Sequence, residues 1–171
     1  SDIPTIIRIG NLVYTLIKLR QDHFPQLIAI LNNLNTDKDE QVGTFISFVY
    51  CKVLKHAKRG FIQQKLDNCL KQQSSSNIYQ TAYFLYFLAK HSPNSILLCT
   101  TQFINATTKV ILYERTDVRQ VGYETLKLYL QILERTQTSH SQHPTFPLYI
   151  FAQQNLKKKY HEQHGAFLIF A

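Results

Sequence analysis

The sequence predicts an all-α chain, a solenoid of stacked helix pairs, and three observations carry that prediction. Apolar residues recur at three- and four-residue spacing in segment after segment. No stretch shows sustained two-residue alternation bounded by turn dipeptides, so strands have no support. Mostly short polar breaks separate the periodic segments, and short connections force antiparallel neighbours. Composition agrees: 44% of the 171 residues are hydrophobic and 18% charged, with only five Gly and five Pro. That is enough apolar material to fold and too few turn formers for a loop-rich or all-β chain.

The first helix is expected over about Pro4 to Arg20, with Pro in the first turn and Ile6, Ile9, Val13, Leu16 and Ile17 on its apolar face. Phe24-Pro25 restarts the chain, and Leu27, Ile28, Ile30, Leu31 and Leu34 mark a second, short helix. Asn35-Thr36-Asp37 reads as a turn and cap before a long helix to about Lys55 through Val42, Phe45, Ile46, Val49 and Val53. Gly60 reads as a break. Phe61 to Gln72 is amphipathic, with Ile62, Leu66, Cys69 and Leu70 inward. Ser74 to Asn77 is a polar linker whose last residue is a good N-cap for Ile78 to Lys90, which Ser92-Pro93-Asn94 stops. One helix is expected from Ser95 to Tyr113 and another from near Asp117 to about Arg135. Thr136 to Pro147 is the longest loop; Leu148 to Lys159 and the stretch from His161 onward are helical.

The formal charge is +8, from 19 Lys and Arg against 11 Asp and Glu. Such a balance suits nucleic acid, an anionic membrane or an acidic protein. Two basic groups, Lys55-His56-Lys58-Arg59 and Lys157 to Lys159 with His161, fall at the ends of periodic segments. Cations there complement the helix dipole and read as solvated helix ends. Cys51, Cys69 and Cys99 lie far apart in apolar patterns, as buried free thiols of a reducing compartment do. The sequon Asn105-Ala106-Thr107 falls inside a helix and reads as a chance match. No signal peptide is visible, and no apolar run reaches a membrane span.

Four segments repeat one shape, a small residue near a helix start followed by apolar and aromatic residues: those around Gly43, Ala82, Gly122 and Gly165. Their positions differ by 39, 40 and 43 residues, within or just under the about 40 to 47 residues of HEAT and armadillo repeats. Glycine inside a helix costs about 1 kcal/mol against alanine, so close approach of the paired helix is the expected reason. Asp117-Val118-Arg119 resembles the Asp turn and Val-Arg pair that open the second helix of HEAT repeats. Asp117 is expected to cap and Arg119 to bridge to the neighbouring repeat's Asp or carbonyl; Asp39 and Asn77 take about the same place in the preceding units. All of 1–171 therefore reads as one solenoid fragment of about four repeats, cut within a helix at its C-terminal end and truncated at its start as well. An isolated fragment of this kind is expected to be marginal, since a cut solenoid exposes faces its neighbours cover.

Arg8-Ile9-Gly10-Asn11, Asn35-Thr36-Asp37 with the Val42 helix, and Thr81-Ala82 with Leu85, Leu88 and Ser92-Pro93 follow one another in a definite order. Val118-Arg119-Gln120-Val121-Gly122 and His164-Gly165-Ala166-Phe167-Leu168-Ile169 continue it and are its most specific elements. In order and spacing these segments resemble the N-terminal HEAT region of the target-of-rapamycin (TOR) kinases. The chain departs from the family in its Asn-, Lys- and Tyr-rich surface and its lack of Trp. The resemblance implies a non-catalytic scaffold segment of a serine/threonine protein kinase in growth and nutrient signalling. It implies that regulatory subunits of the complex and an activating small GTPase dock on it. It implies a cytoplasmic protein recruited to the lysosomal or vacuolar membrane through its complex.

The residues point to no catalytic, cofactor-binding or metal-ligating side chain, and no binding residue can be assigned; Arg8, Asp117 and Arg119 read as structural. Kinase chemistry needs a Gly-rich loop, a catalytic Asp and metal-binding Asp and Asn, and none of these motifs occurs, nor does a Walker loop, nucleophile elbow or metalloprotease motif. His140-Ser141-Gln142-His143 and His161-Glu162-Gln163-His164 lack a nearby third ligand and read as polar loop and cap residues. Tyr79, Tyr83, Phe84, Tyr86 and Phe87 have few interleaved cations and read as packing between repeats, not as a stacking platform. Two function classes remain: a protein-docking scaffold without cofactor or small-molecule substrate, and a HEAT-type scaffold for transport cargo or nucleic acid unrelated to a kinase.

Overall fold

The computed structural model describes residues 2–19, 21–34, 39–55, 59–71, 75–135, 152–155 and 159–170. Among them there is no strand. The helices are α1 (Ile3–Leu19), α2 (Phe24–Asn32), α3 (Glu40–Leu54), α4 (Arg59–Lys71), α5 (Ser75–His91), α6 (Pro93–Leu98), α7 (Thr100–Ile111), α8 (Thr116–Arg135) and α9 (Tyr160–Phe170). A 3-10 turn, Gln21–His23, leads into α2, and residues 152–155 are helical.

Punctuation in the sequence sets most of these starts. Pro25 and Pro93 stand in the first turns of α2 and α6, where a missing N–H costs nothing. Asp39 caps α3: its Oδ1 accepts from the N–H groups of Gln41 at 2.8 Å and Val42 at 2.9 Å. The expected turn residues Asn35, Thr36 and Asp37 lie outside the described residues, as do His56 and Lys58, Lys157 and Lys158, and nearly all of the segment from Thr136 to Lys158.

Several expectations need correction. Asn77 is not a cap; α5 starts two residues earlier, because Ser and Asn are tolerated in a first turn. Gly60 is not a break but sits in the first turn of α4, with open space where a side chain would go. The segment from Ser95 to Tyr113 is two helices: Cys99 leaves helical geometry (φ −134°, ψ 39°) and its N–H turns back to Ile96 O at 2.9 Å. Ile30 faces outward. Asp117 lies inside the first turn of α8, bonded to its neighbour Val118 N–H and paired with Arg115, so it does not cap from outside.

Alternate helices form a parallel layer. Gly10 on α1 meets Phe45 and Ile46 on α3, and the rings of Tyr14 and Phe48 stand 5.9 Å apart. Further along, Ser47 Oγ donates to Gln80 O of α5 at 3.3 Å and Cys51 Sγ to Phe84 O at 3.3 Å. The layer continues onto α8, where Arg115, just before the helix, lies over Tyr79, and Leu128 and Ile132 share a cavity wall with Ala89. A second layer holds α4 and α7, joined by the Lys109 ammonium donating to Leu70 O at 2.8 Å. The antiparallel pair α7 and α8 closes on Phe103 and Tyr129, with ring centroids 5.7 Å apart. Leu54, Leu66, Leu85, Leu88, Ile96 and Ile111 are fully buried between the layers, each contributing about 1.5–3 kcal/mol of burial. The stacking is compatible with a helical repeat.

The small residues sit at close approaches, though not to equivalent partners. Gly43 faces the Gln80 side chain of the next parallel helix, Gly122 faces Val110 and Ile111 of its antiparallel partner α7, and Gly165 faces the Ile111 carbonyl and Leu112. Ala82 is buried. Gly10 belongs to the set as well, against Phe45.

Candidate docking surface

The parallel layer has two electrostatically distinct ends. Its N-terminal end carries Asp39, Glu40 and Asp117. Arg115 bridges the last two, with Nη1 at 2.5 Å from Glu40 Oε1 and Nη2 at 2.6 Å from Asp117 Oδ2, while its guanidinium lies 5.0 Å from the Tyr79 ring centroid. The Arg115 bond holds the Asp117 carboxyl below its usual range. Burial and the Tyr79 hydroxyl push Tyr83 up to about 12. A carboxyl lowered in the folded state adds stability above the ordinary aspartate range and loses it as pH falls through the lowered value. The network is substantially solvated, so Arg115→Ala is expected to cost at most about 1 kcal/mol at neutral pH. The difference should vanish in strong acid, as urea titrations at both pH values would show.

The C-terminal end is basic. Last-turn and C-cap cations of successive helices stand there: Lys18 on α1, Lys52 and Lys55 on α3, Lys90 on α5, Arg135 on α8. Lys18 lies 4.6 Å from the Tyr14 ring centroid, Lys52 5.2 Å from Phe48 and Lys90 5.5 Å from Tyr86. Cation–π contact holds these ammonium groups against the surface while leaving them accessible. The rings continue as a stripe: Phe48 and Phe87 at 5.6 Å edge-on, and Phe87 and His91 stacked at 6.2 Å. His91 is held below its usual pKa, first by burial and then by Lys52, Lys90 and Lys55. Of the five α5 aromatics read as packing, only Phe84 is in the core; Tyr79, Tyr83, Tyr86 and Phe87 are half-buried.

Beside this cluster a cavity of about 260 Å³ opens between α5, α6 and α8. Ala89, Leu97, Leu128 and Ile132 make its apolar wall, Asn94 and Gln131 supply amides, and Lys90 and Arg135 supply charge. A smaller one, about 180 Å³, lies between α2, α3 and α4 around Asn32, Tyr50 and Lys65.

Arg119 is 4% exposed, and it holds carbonyls of the turn before its own helix, not an Asp or carbonyl of the neighbouring repeat. Nη1 donates to Tyr113 O at 2.8 Å and Glu114 O at 2.7 Å, Nη2 to Thr116 Oγ1 at 3.0 Å, and Nε to His164 Nδ1 at 2.9 Å. His164 of α9 is thus part of a structural clasp. His140 and His143 lie outside the described residues, and no group of three metal-ligating side chains occurs among the described ones. Cys51, Cys69 and Cys99 are free and buried, and burial raises the pKa of each thiol. No helix among the described residues is long and apolar enough to cross a membrane.

Reading along the sequence missed the basic end, because its cations belong to different helices. The legible signal was a last-turn Lys or Arg on every helix of one layer. Compared with known proteins, the chain matches no family model, no curated protein and no solved structure.

Proposed function

We propose that this chain is a non-catalytic protein-docking scaffold, a HEAT-type solenoid segment of a TOR-like serine/threonine protein kinase. On this reading it docks regulatory subunits of the complex and an activating small GTPase in growth and nutrient signalling. It works in the cytoplasm, brought to the lysosomal or vacuolar membrane by the complex, and the kinase chemistry resides elsewhere in the parent protein. The observation that supports docking is the parallel layer of α1, α3, α5 and α8, whose shared edge presents cations, half-buried rings and a cavity. Stacked helices present extended surfaces of the kind repeat proteins use for partners. The kinase context rests on the resemblance carried by Arg119 to Gly122 and His164 to Ile169.

Deleting residues 1–171 from the full-length protein tests the reading. Expected is loss of association with the regulatory subunits while the isolated kinase domain stays active on a generic peptide. Unchanged assembly and an unchanged GTPase response would refute it. The +8 charge and the basic edge favour one other reading, a nucleic-acid or cargo scaffold. Binding to DNA or RNA that falls steeply with salt is its mark.

A further inference from the structure

We propose that the cavity between α5, α6 and α8, with Lys90 and Arg135 in its lining, docks a short acidic segment of a partner protein through one aliphatic side chain. The proposal rests on the docking-scaffold reading and names the chemistry of the partner.

Charge comes first. Cations in a last turn ordinarily answer the helix dipole, which places about half a negative charge at each C-terminus. The ends of α5 and α8 bring Lys90 and Arg135 to one cavity lining, and the end of α3 adjoins that of α5 where Lys52 and His91 both pack on Phe48; the cations Lys52, Lys90 and Arg135 exceed what these termini require. The one carboxylate in these last turns, Glu134, does not line the cavity. The segment that follows Arg135, residues 136–151, contains no Asp or Glu, so it brings no countercharge. No ion pair to Lys52, Lys55, Lys90 or Arg135 occurs among the described residues. The edge is complementary to an anion.

The cavity then decides which anion. Its wall of Ala89, Leu97, Leu128 and Ile132 is apolar, and burying a Leu or Ile side chain there is favourable. A nucleic-acid backbone has no aliphatic group to place in it. Asn94 and Gln131 at the wall offer donors and acceptors suited to a peptide backbone. Lys52 and Lys90 are already held over rings, so little side-chain freedom is lost on binding. A peptide with carboxylates on both sides of one Leu satisfies wall and rim together.

The test is fluorescence anisotropy of a labelled peptide carrying four carboxylates around one Leu, titrated with the chain. Expected is saturable binding that weakens about tenfold or more in K90E/R135E, both exposed positions, as for removal of rim charges. It should weaken comparably when the peptide's Leu becomes Gly. Circular dichroism of K90E/R135E should match the parent. Binding that K90E/R135E leaves unchanged overturns the proposal. Equal or tighter binding of a poly-thymidine oligonucleotide, or of phosphatidylserine vesicles, also overturns it and assigns the edge to phosphate. The deletion experiment keeps the two levels apart: peptide binding absent while the deletion still abolishes subunit association removes this site and leaves the scaffold. A deletion without effect removes the scaffold whatever the peptide does.

Discussion

Arg119→Ala is expected to destabilise the chain by about 3–5 kcal/mol, the largest effect of any single substitution considered. The side chain is 4% exposed and donates to two carbonyls, a hydroxyl and an imidazole. The carbonyls of Tyr113 and Glu114 follow the end of α7, where the chain has no helical donors left to satisfy them. Truncation leaves these acceptors in a site water reaches poorly, and each lost charge-assisted bond costs more than a neutral one. Arg119→Lys should recover only part of the loss, since one ammonium cannot span acceptors on opposite sides of a planar fork. Because Nε bonds His164, the loss should appear first in α9, as faster amide exchange across 160–170 than across α1 or α3. Urea unfolding gives the total. A variant within about 0.5 kcal/mol of the parent would mean that the clasp is solvated and optional.

The helices were legible because their signals are local. Pro25 marks a start by chemistry that needs no tertiary partner, whereas Pro93, read as a stop, also opens α6, and α3 is capped by Asp39. The three- and four-residue spacing of Ile6, Ile9, Val13, Leu16 and Ile17 marks the inward face, of which Ile6, Val13 and Ile17 are buried and Ile9 and Leu16 partly so. What stayed hidden depends on neighbours. The break at Cys99 lies in a run whose periodicity continues across it, and only the change of direction between α6 and α7 reveals it. Gly60 looked like punctuation, yet helix propensity is a weak prior that a first turn overrides. The α5 aromatics do pack, Phe84 in the core and Tyr79 and Phe87 against it. Tyr83, Phe87 and His91 also follow one another at four-residue steps and form a stripe beside Phe48, which the linear order does not show. The basic end gathers Lys52, Lys90 and Arg135 from three helices, and nothing in the linear order says those helices are parallel. The clasp fell between these cases: the Asp-Val-Arg pattern points Arg119 to an Asp or carbonyl of the neighbouring repeat, whereas it holds two carbonyls of its own turn and reaches across only to His164, which reads along the sequence as a cap.

Gly122→Leu is expected to destabilise by about 1–3 kcal/mol even though helix propensity alone favours it by up to about 1 kcal/mol. A Cβ at Gly122 would stand 2.8 Å from Ile111 Cγ1, 2.9 Å from Val110 Cγ1 and 3.2 Å from the Ile111 backbone nitrogen. Val110 and Ile111 are themselves fully buried, so neither can swing into solvent to make room. The backbone of α7 would have to retreat instead. It is held there by Phe103 packed against Tyr129 further along the pair, and by Lys109 bonded to Leu70 O of α4. Moving α7 therefore strains two interfaces, and overpacking costs of this kind exceed the propensity gain. Gly122→Ala separates the terms: it keeps nearly all of the propensity gain and adds only the Cβ, so it should fall between parent and leucine. Urea midpoints for the three proteins, compared at equal m values, measure the series. A leucine variant as stable as the parent would show that α7 and α8 are not held at this separation.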